Sequence, residues 1–308
     1  MIRVTHLSLR DFRSYESLDI DLSAGLTAVV GENGNGKTNL IEAIAFVARL
    51  ASFRGAPPDA MVRLGADAAV VRAEVMCGER EVLIEVELPR QGRVRALVNR
   101  QRLGRRSELA EVLTTTVFSP DDLEIAKGGP AGRRDFLDDL LADLHPKNEA
   151  ACADLQKALR QRNALLKQTS GRLSEDAAIT LDVWDARIVD LGERVAGLRA
   201  KVLSQLTPLV TDSYRALATP GAADRGSDDE VELVYDATWA HEGLAAALRA
   251  SRTDDVRRGV STVGPHRDDV VMSIAGRPSR THASQGEQRS LVLALRLAAH
   301  RLVTTARG

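Results

Sequence analysis

The octapeptide GENGNGKT, residues 31–38, constrains this chain more than any other stretch. It fits G-x-x-x-x-G-K-[ST] in full, with Gly31, Gly36, Lys37 and Thr38 at the fixed positions and Glu32, Asn33, Gly34 and Asn35 between them. The apolar run LTAVV (26–30) precedes it and reads as a buried strand. NLIEAIAFVARL (39–50) follows, with apolar residues at helical spacing. A strand, a glycine loop and a helix in that order make a cradle for phosphate. The glycines let the backbone curl until its N–H groups point inward, and the helix adds its positive end. Lys37 supplies a point charge for the outer phosphates, and the Thr38 hydroxyl is a ligand for Mg²⁺. A chain built around this unit is α/β, and a nucleoside triphosphate site is expected at residues 31–38. No guanine-reading Asn-Lys-x-Asp string occurs, which argues against a GTPase.

Apolar residues alternate at period two at Ile2 and Val4, and again at Leu18, Ile20 and Leu22. Residues 69–99 read as an antiparallel meander with turns at Gly78 and at 89–92. The middle of the chain differs. Helices are predicted over 133–144 and 149–168. A third carries Leu181, Trp184, Ile188, Leu191, Val195, Leu198 and Val202, alternately three and four apart, the seam of packed helices. PGAADRGSDDE (220–230) has the composition of a loop. Strands are expected again at 231–235, 259–263 and 270–274, before a final helix. This order implies an α/β core with an antiparallel β-meander, residues 1–120 and 258–308, interrupted in sequence by a mainly helical second lobe, 121–257.

The chain has 308 residues, 44% hydrophobic and 28% charged, with a formal net charge of -1. Bulk charge therefore argues neither for nor against a nucleic-acid partner. No apolar run approaches the roughly 20 residues that span a bilayer, and MIRVTHLSLRDF lacks the apolar core of a signal peptide. Cys77 and Cys152 stand far apart and read as reduced thiols, so a cytoplasmic location is expected. The six histidines form no ligand pattern, and a structural metal site is not expected. Local charge is more telling. Arg90, Arg93, Arg95, Arg100, Arg102, Arg105 and Arg106 fall between Glu87 and Glu108 with no acid among them. Without interleaved aromatics this stretch suits the phosphate backbone of DNA rather than stacked bases. A solvated basic edge is the alternative.

THASQGEQRSLVLALRLA (281–298) starts polar and becomes a helix. Ser284 and Glu287 fit the S-x-x-E capping box. That leaves Gly286 unexplained, because glycine costs about 1 kcal/mol against alanine in a helix. A hydroxyl beside a glycine at a helix N-terminus also suits an anion. SQGEQ resembles the signature motif of ABC-type ATPases, in which the motif meets the γ-phosphate held by a second copy. FSPDDLEIAKGGPAGRRDFLDDLL (118–141), VGPHRDDVVMSIAGRP (263–278), the N-terminal strands and both motifs together resemble the RecF family of bacterial recombination mediators, from end to end.

The resemblance implies an ABC-type P-loop ATPase core, ATP and Mg²⁺ as cofactors, and an ATP-dependent homodimer. It further implies DNA at gaps or single-strand/double-strand junctions, with RecR, RecO and RecA as partners in DNA repair and replication. Carried over by position, residues 31–38 hold ATP and Mg²⁺, while Ser284, Gln285 and Gly286 meet the partner's γ-phosphate. Arg13 either flanks the nucleotide or is a solvated surface arginine. Asp121 either stands near the metal or caps a helix after Pro120. GPHRDD (264–269), where His266 precedes two aspartates, reads as a conformational polar contact, since no nucleophile lies near it.

The sequence departs from the ABC pattern after Glu287, where no Asp or Glu follows. The acidic Walker B element, its strand and the switch histidine have no counterpart. The expectation is an incomplete copy of a longer protein, or else a form that binds ATP without turnover. The family's weak DNA-dependent ATPase activity is expected to be negligible in this chain. Two other functions compete: a small-substrate phosphoryl transferase, against which pairing on ATP would count, and an SMC-like structural head, for which the helical middle is short.

Overall fold

The computed structural model describes residues 2–103, 109, 112–217 and 230–307. The chain divides into two compact units, Met1–Val117 and Phe118–Gly308.

The first unit is one antiparallel sheet covered by a helix. Its strands are β1 (Ile2–Phe12), β2 (Tyr15–Asp21), β3 (Ala68–Cys77), β4 (Arg80–Pro89), β5 (Arg95–Val98) and β6 (Gln101–Arg102). They lie in the order β2-β1-β3-β4-β5-β6. Period-two alternation puts Leu7, Leu9, Val71, Ala73, Val75, Ile84, Val86 and Leu88 on one face, where Ala43, Phe46 and Val47 of α1 (Lys37–Arg49) complete a core. The predicted meander is present, and its first turn follows Cys77↔Arg80 pairing with Gly78 at φ 65. The β5–β6 turn places Asn99 and Arg100 at φ 49 and 67, the left-handed pair of a tight hairpin.

Residues 26–30 do not form the predicted strand. Leu26 is 96% and Val30 88% exposed, and the segment has no ladder partner among the described residues. An apolar run becomes a strand only where neighbours take up its N–H and C=O groups and cover its side chains. Here neither condition is met.

In the second unit a 3-10 turn at Pro120–Asp122 leads into α2 (Leu123–Lys127), α3 (Pro130–Leu144), α4 (Pro146–Gln168) and α5 (Glu175–Leu217). There follow β7 (Val231–Asp236), α6 (Leu244–Arg258), β8 (Asp269–Ile274), β9 (Arg277–Pro278), α7 (Ser279–His282) and α8 (Gln285–Arg307). The predicted seam lies along α5, which runs for 43 residues. It buries Leu181, Ile188, Leu191, Val195 and Val202, with Trp184 and Leu198 half-buried. Leu291, Val292, Leu295 and Ala298 of α8 share the core with α5. Residues 258–308, grouped by sequence order with 1–120, pack within the same compact unit as the helices before them. The predicted loop at 220–230 lies almost wholly outside the described residues.

The strand predicted at 259–263 is absent. Val260 N–H donates to the Asp255 carbonyl, Ser261 N–H to Asn163 Oδ1 and Thr262 N–H to Asp255 Oδ1. Local groups have taken the donors that a strand would offer to a neighbour.

Candidate nucleotide-binding site

The phosphate loop closes on Gly36, which sits at φ 84 as the N-cap of α1. A Cβ there would lie 2.7 Å from Ser14 Oγ and 3.2 Å from the Tyr15 hydroxyl, so the β1–β2 turn leaves room for glycine alone. Tyr15 Oη donates to the Gly36 carbonyl at 3.2 Å, and Asn39 Nδ2 to Ser14 Oγ at 3.0 Å, seating that turn against the loop. Gly34 is also left-handed, at φ 92. Lys37 folds its ammonium back over the loop and donates to the carbonyls of Gly31 and Glu32 at 2.7 Å each. No side chain caps α1, so its first N–H groups remain open to an anion. Gly31, Glu32, Asn33, Gly34, Asn35 and Thr38 are exposed.

These residues fit a triphosphate with its cation. Glycine geometry, an uncapped helix start and a lysine on the loop answer the phosphates. Among the described residues no group of three or more His, Cys, Asp or Glu could hold a metal. Exposed Thr38 is the loop residue whose hydroxyl would hold a hard cation such as Mg²⁺ together with phosphate oxygens.

Arg13 is not a solvated surface arginine. Its Nε and Nη2 donate to Glu42 Oε2 and Oε1 at 2.8 Å each, and its Nη1 to the Ala60 carbonyl at 2.9 Å. Ser52 Oγ also donates to Glu42, and Arg54 Nη1 stands 3.7 Å from it. Glu42 is fully buried on α1. Burial alone would raise its carboxyl pKa; the Arg13 and Ser52 hydrogen bonds overcome that and hold it below the ordinary value. Sequence reasoning missed this glutamate, although a charged residue on the apolar face of NLIEAIAF was a legible signal.

In the second unit the capping box forms as predicted. Ser284 N–H donates to Glu287 Oε2 at 2.7 Å, and Glu287 N–H to Ser284 Oγ at 3.2 Å. Gln288 Nε2 donates to the Ser279 carbonyl, tying α7 to α8. Ser284, Gln285 and Gly286 are all exposed. A Cβ on Gly286 would meet nothing nearer than Ser284 Oγ at 3.9 Å, and its φ is not left-handed. Nothing within the described chain requires glycine at that position.

Asp121 does not cap a helix. The cap is Ser119, and Asp122 returns the second bond, its Oδ2 accepting from Ser119 N–H at 2.7 Å. Asp121 is exposed beside this box.

GPHRDD is a polar hub. Asp269 takes Arg133 of α3 on both oxygens, at 2.7 and 3.0 Å. Asp268 accepts from the Tyr235 hydroxyl at 2.7 Å and Trp239 Nε1 at 2.8 Å. The Pro265 carbonyl accepts from buried Arg199 at 2.7 Å, whose other arms grip Asp138. His266 Nε2 lies 3.0 Å from the Ser261 carbonyl, and its buried Nδ1 has no partner. Burial lowers the His266 pKa. Burial likewise raises the Asp268 carboxyl, against the bonds from Tyr235 and Trp239. A parallel cluster centres on fully buried Arg162, which bonds Asp185 and Asp255 at 2.6 Å each. Neither cluster was foreseen in its partners, because the residues that meet are up to 136 positions apart.

The basic run is used unevenly. Arg90 is a backbone clamp, donating to the carbonyls of Ala66 and Arg63 at 2.9 and 2.8 Å. Arg95 pairs with Glu87 across β4–β5 at 3.3 Å. Arg93, Arg100 and Arg102 are exposed. Arg105 and Arg106 lie outside the described residues. Cys77 and Cys152 are unpaired, and burial first of all pushes the Cys152 thiol up to about 12, leaving it unreactive.

The profile described as RecF/RecN/SMC N terminal domain matches residues 3–306. The DNA replication and repair protein RecF of Frankia alni is 42% identical over 315 residues, covering 98% of this chain and 82% of that protein. Its counterpart from Leifsonia xyli is 39% identical, with the same coverage. A solved structure of the recombination mediator protein RecF with ATP superposes at a TM-score of 0.88 and 26% identity, covering 99% of this chain and 82% of the other. The Smc head domain from Pyrococcus furiosus shares the fold, at a TM-score of 0.52 and 21% identity over 98% of this chain and 80% of that one. The fold is thus that of an SMC/ABC-type ATPase head, and the chain belongs to the RecF family.

Proposed function

We propose that this chain is an ATP-gated, DNA-binding recombination mediator acting in the cytoplasm. Residues 31–38 hold ATP: the loop amides and α1 face the phosphates, Lys37 neutralises the outer ones, and Thr38 takes the Mg²⁺. Arg13, braced by Glu42, stands at the edge of that site. The ATPase core is drawn from residues 1–120 and 258–308, with 121–257 as the second lobe. Two copies pair on ATP, each presenting Ser284, Gln285 and Gly286 to the γ-phosphate held by the other. Pairing gates a DNA surface that includes Arg93, Arg100 and Arg102, at gaps or single-strand/double-strand junctions. RecR, RecO and RecA are the partners; in the family slow DNA-dependent ATP hydrolysis resets the clamp, and in this chain, which has no acidic residue after Glu287, turnover is negligible.

The observation that carries this reading is Gly286: exposed, helical and free of any local need for glycine. A glycine in the first turn of a helix, where alanine is the better helix former, suits a backbone that something outside the chain approaches closely. The relatives support the nucleotide, since RecF has been solved with ATP in the RecFOR pathway. Sedimentation with and without Mg-ATP tests the proposal. The wild-type chain is expected to pair on ATP and Ser284→Arg to stay single; a Ser284→Arg chain that pairs normally refutes it.

A further inference from the structure

We propose that Asp122 and Arg296 form a clasp that sets the bearing of α8 for pairing; it rests on the reading that Ser284 and Gly286 act between two copies. Arg296 Nη2 donates to Asp122 Oδ1 at 2.5 Å, while Oδ2 of the same carboxylate closes the turn on Ser119. The Arg296 guanidinium also lies over the Phe136 ring of α3, 5.3 Å from its centroid. Its Nε is buried without a partner. Orientation of this guanidinium thus rests on Asp122 and the ring.

The clasp and the Gln288 hydrogen bond to the Ser279 carbonyl differ in kind from the apolar contacts of α8. Leu291, Val292, Leu295, Ala298 and Val303 bury the helix, but the driving force of apolar burial is itself non-directional. A charge-assisted hydrogen bond is directional. Arg296 lies 12 residues beyond Ser284, about 18 Å along a helix axis. A small tilt of the helix axis about the clasp therefore becomes a larger displacement of the exposed capping box. Asp122 also belongs to the first turn after the chain enters its second unit at Phe118. One carboxylate thereby ties that entry turn to the helix carrying the signature.

Asp122→Asn, Arg296→Gln and the double variant are compared with the wild-type full chain. Pairing is read by sedimentation velocity with Mg-ATP, and nucleotide binding by titrating a fluorescent ATP analogue at dilutions where every chain is single. Each single variant is expected to weaken ATP-driven pairing at least about tenfold, with nucleotide affinity changed less than about twofold. The double variant is expected to be no worse than either single, the non-additivity of a direct pair. Singles that pair like wild type, additive losses, or nucleotide affinity falling in step with pairing would each overturn the clasp. If a single variant does not fold, Arg296→Lys, which keeps the charge and loses the fork, is expected to pair less well than wild type at unchanged nucleotide affinity; wild-type pairing by it overturns the proposal. A wild-type chain that stays single with ATP overturns the pairing reading itself, and the clasp with it.

Discussion

Arg13 and Glu42 of α1 form a two-pronged ion pair, with both bonds at 2.8 Å and the carboxylate fully buried. Because α1 begins at Lys37, a change at Glu42 acts on the helix that carries the loop's lysine. Removing the arginine leaves a buried carboxylate with only Ser52 and the more distant Arg54. Arg13→Ala is expected to lose about 3 kcal/mol of stability, the scale for stranding one half of a buried pair, as measured by urea unfolding.

The same pair sets an acid limb. Glu42 is held below its ordinary value of 4.5, so the stability it contributes is present above that value. It is lost as pH falls through the folded pKa. In Arg13→Ala this limb is expected to flatten, which unfolding midpoints below pH 5 would show.

Gly36→Ala is expected to abolish nucleotide binding while the sheet stays folded. The added Cβ meets Ser14 Oγ at 2.7 Å, at a φ of 84 that side chains avoid. A fluorescent ATP analogue and circular dichroism separate the two effects. Tight binding by this variant would show that the loop does not need its present path.

His266 predicts a second pH dependence. Its folded pKa lies below 6.5 because burial disfavours the imidazolium. The unfolded state therefore binds the proton more readily, and stability falls as pH drops from about 6.5 through the folded value. The difference in stability between wild type and His266→Gln is expected to carry this slope. His6 carries the opposite one: bonded to Asp21 and facing Asp19, its pKa is raised. It adds stability that fades as pH rises through that higher value.

The arginines of 90–106 should separate by role. Replacing Arg93, Arg100 and Arg102 with Ala is expected to lower the slope of log affinity for DNA against log salt by about 1 each. Arg90→Ala should leave the slope alone and lower stability, since its contacts are to backbone carbonyls. Equal slopes for both sets of variants would place the DNA surface elsewhere.

What the sequence determined by itself was whatever depends on near neighbours along the chain. Glycine spacing and Lys-Thr marked the loop at 31–38, S-x-x-E marked the box that Ser284 and Glu287 form, and the three-four spacing from Leu181 to Val202 marked the buried face of α5. Tertiary structure decided what depends on distant partners. LTAVV and residues 259–263 have strand-like composition, yet the first lacks a ladder neighbour and the second spends its N–H groups on Asn163 and Asp255. Arg13, Arg90 and Arg95 look alike in sequence. One braces a buried glutamate, one clamps backbone carbonyls and one pairs with Glu87 across a ladder. Periodicity records which side of an element faces the core; it does not say which residue, tens or hundreds of positions away, will stand there to accept a charge.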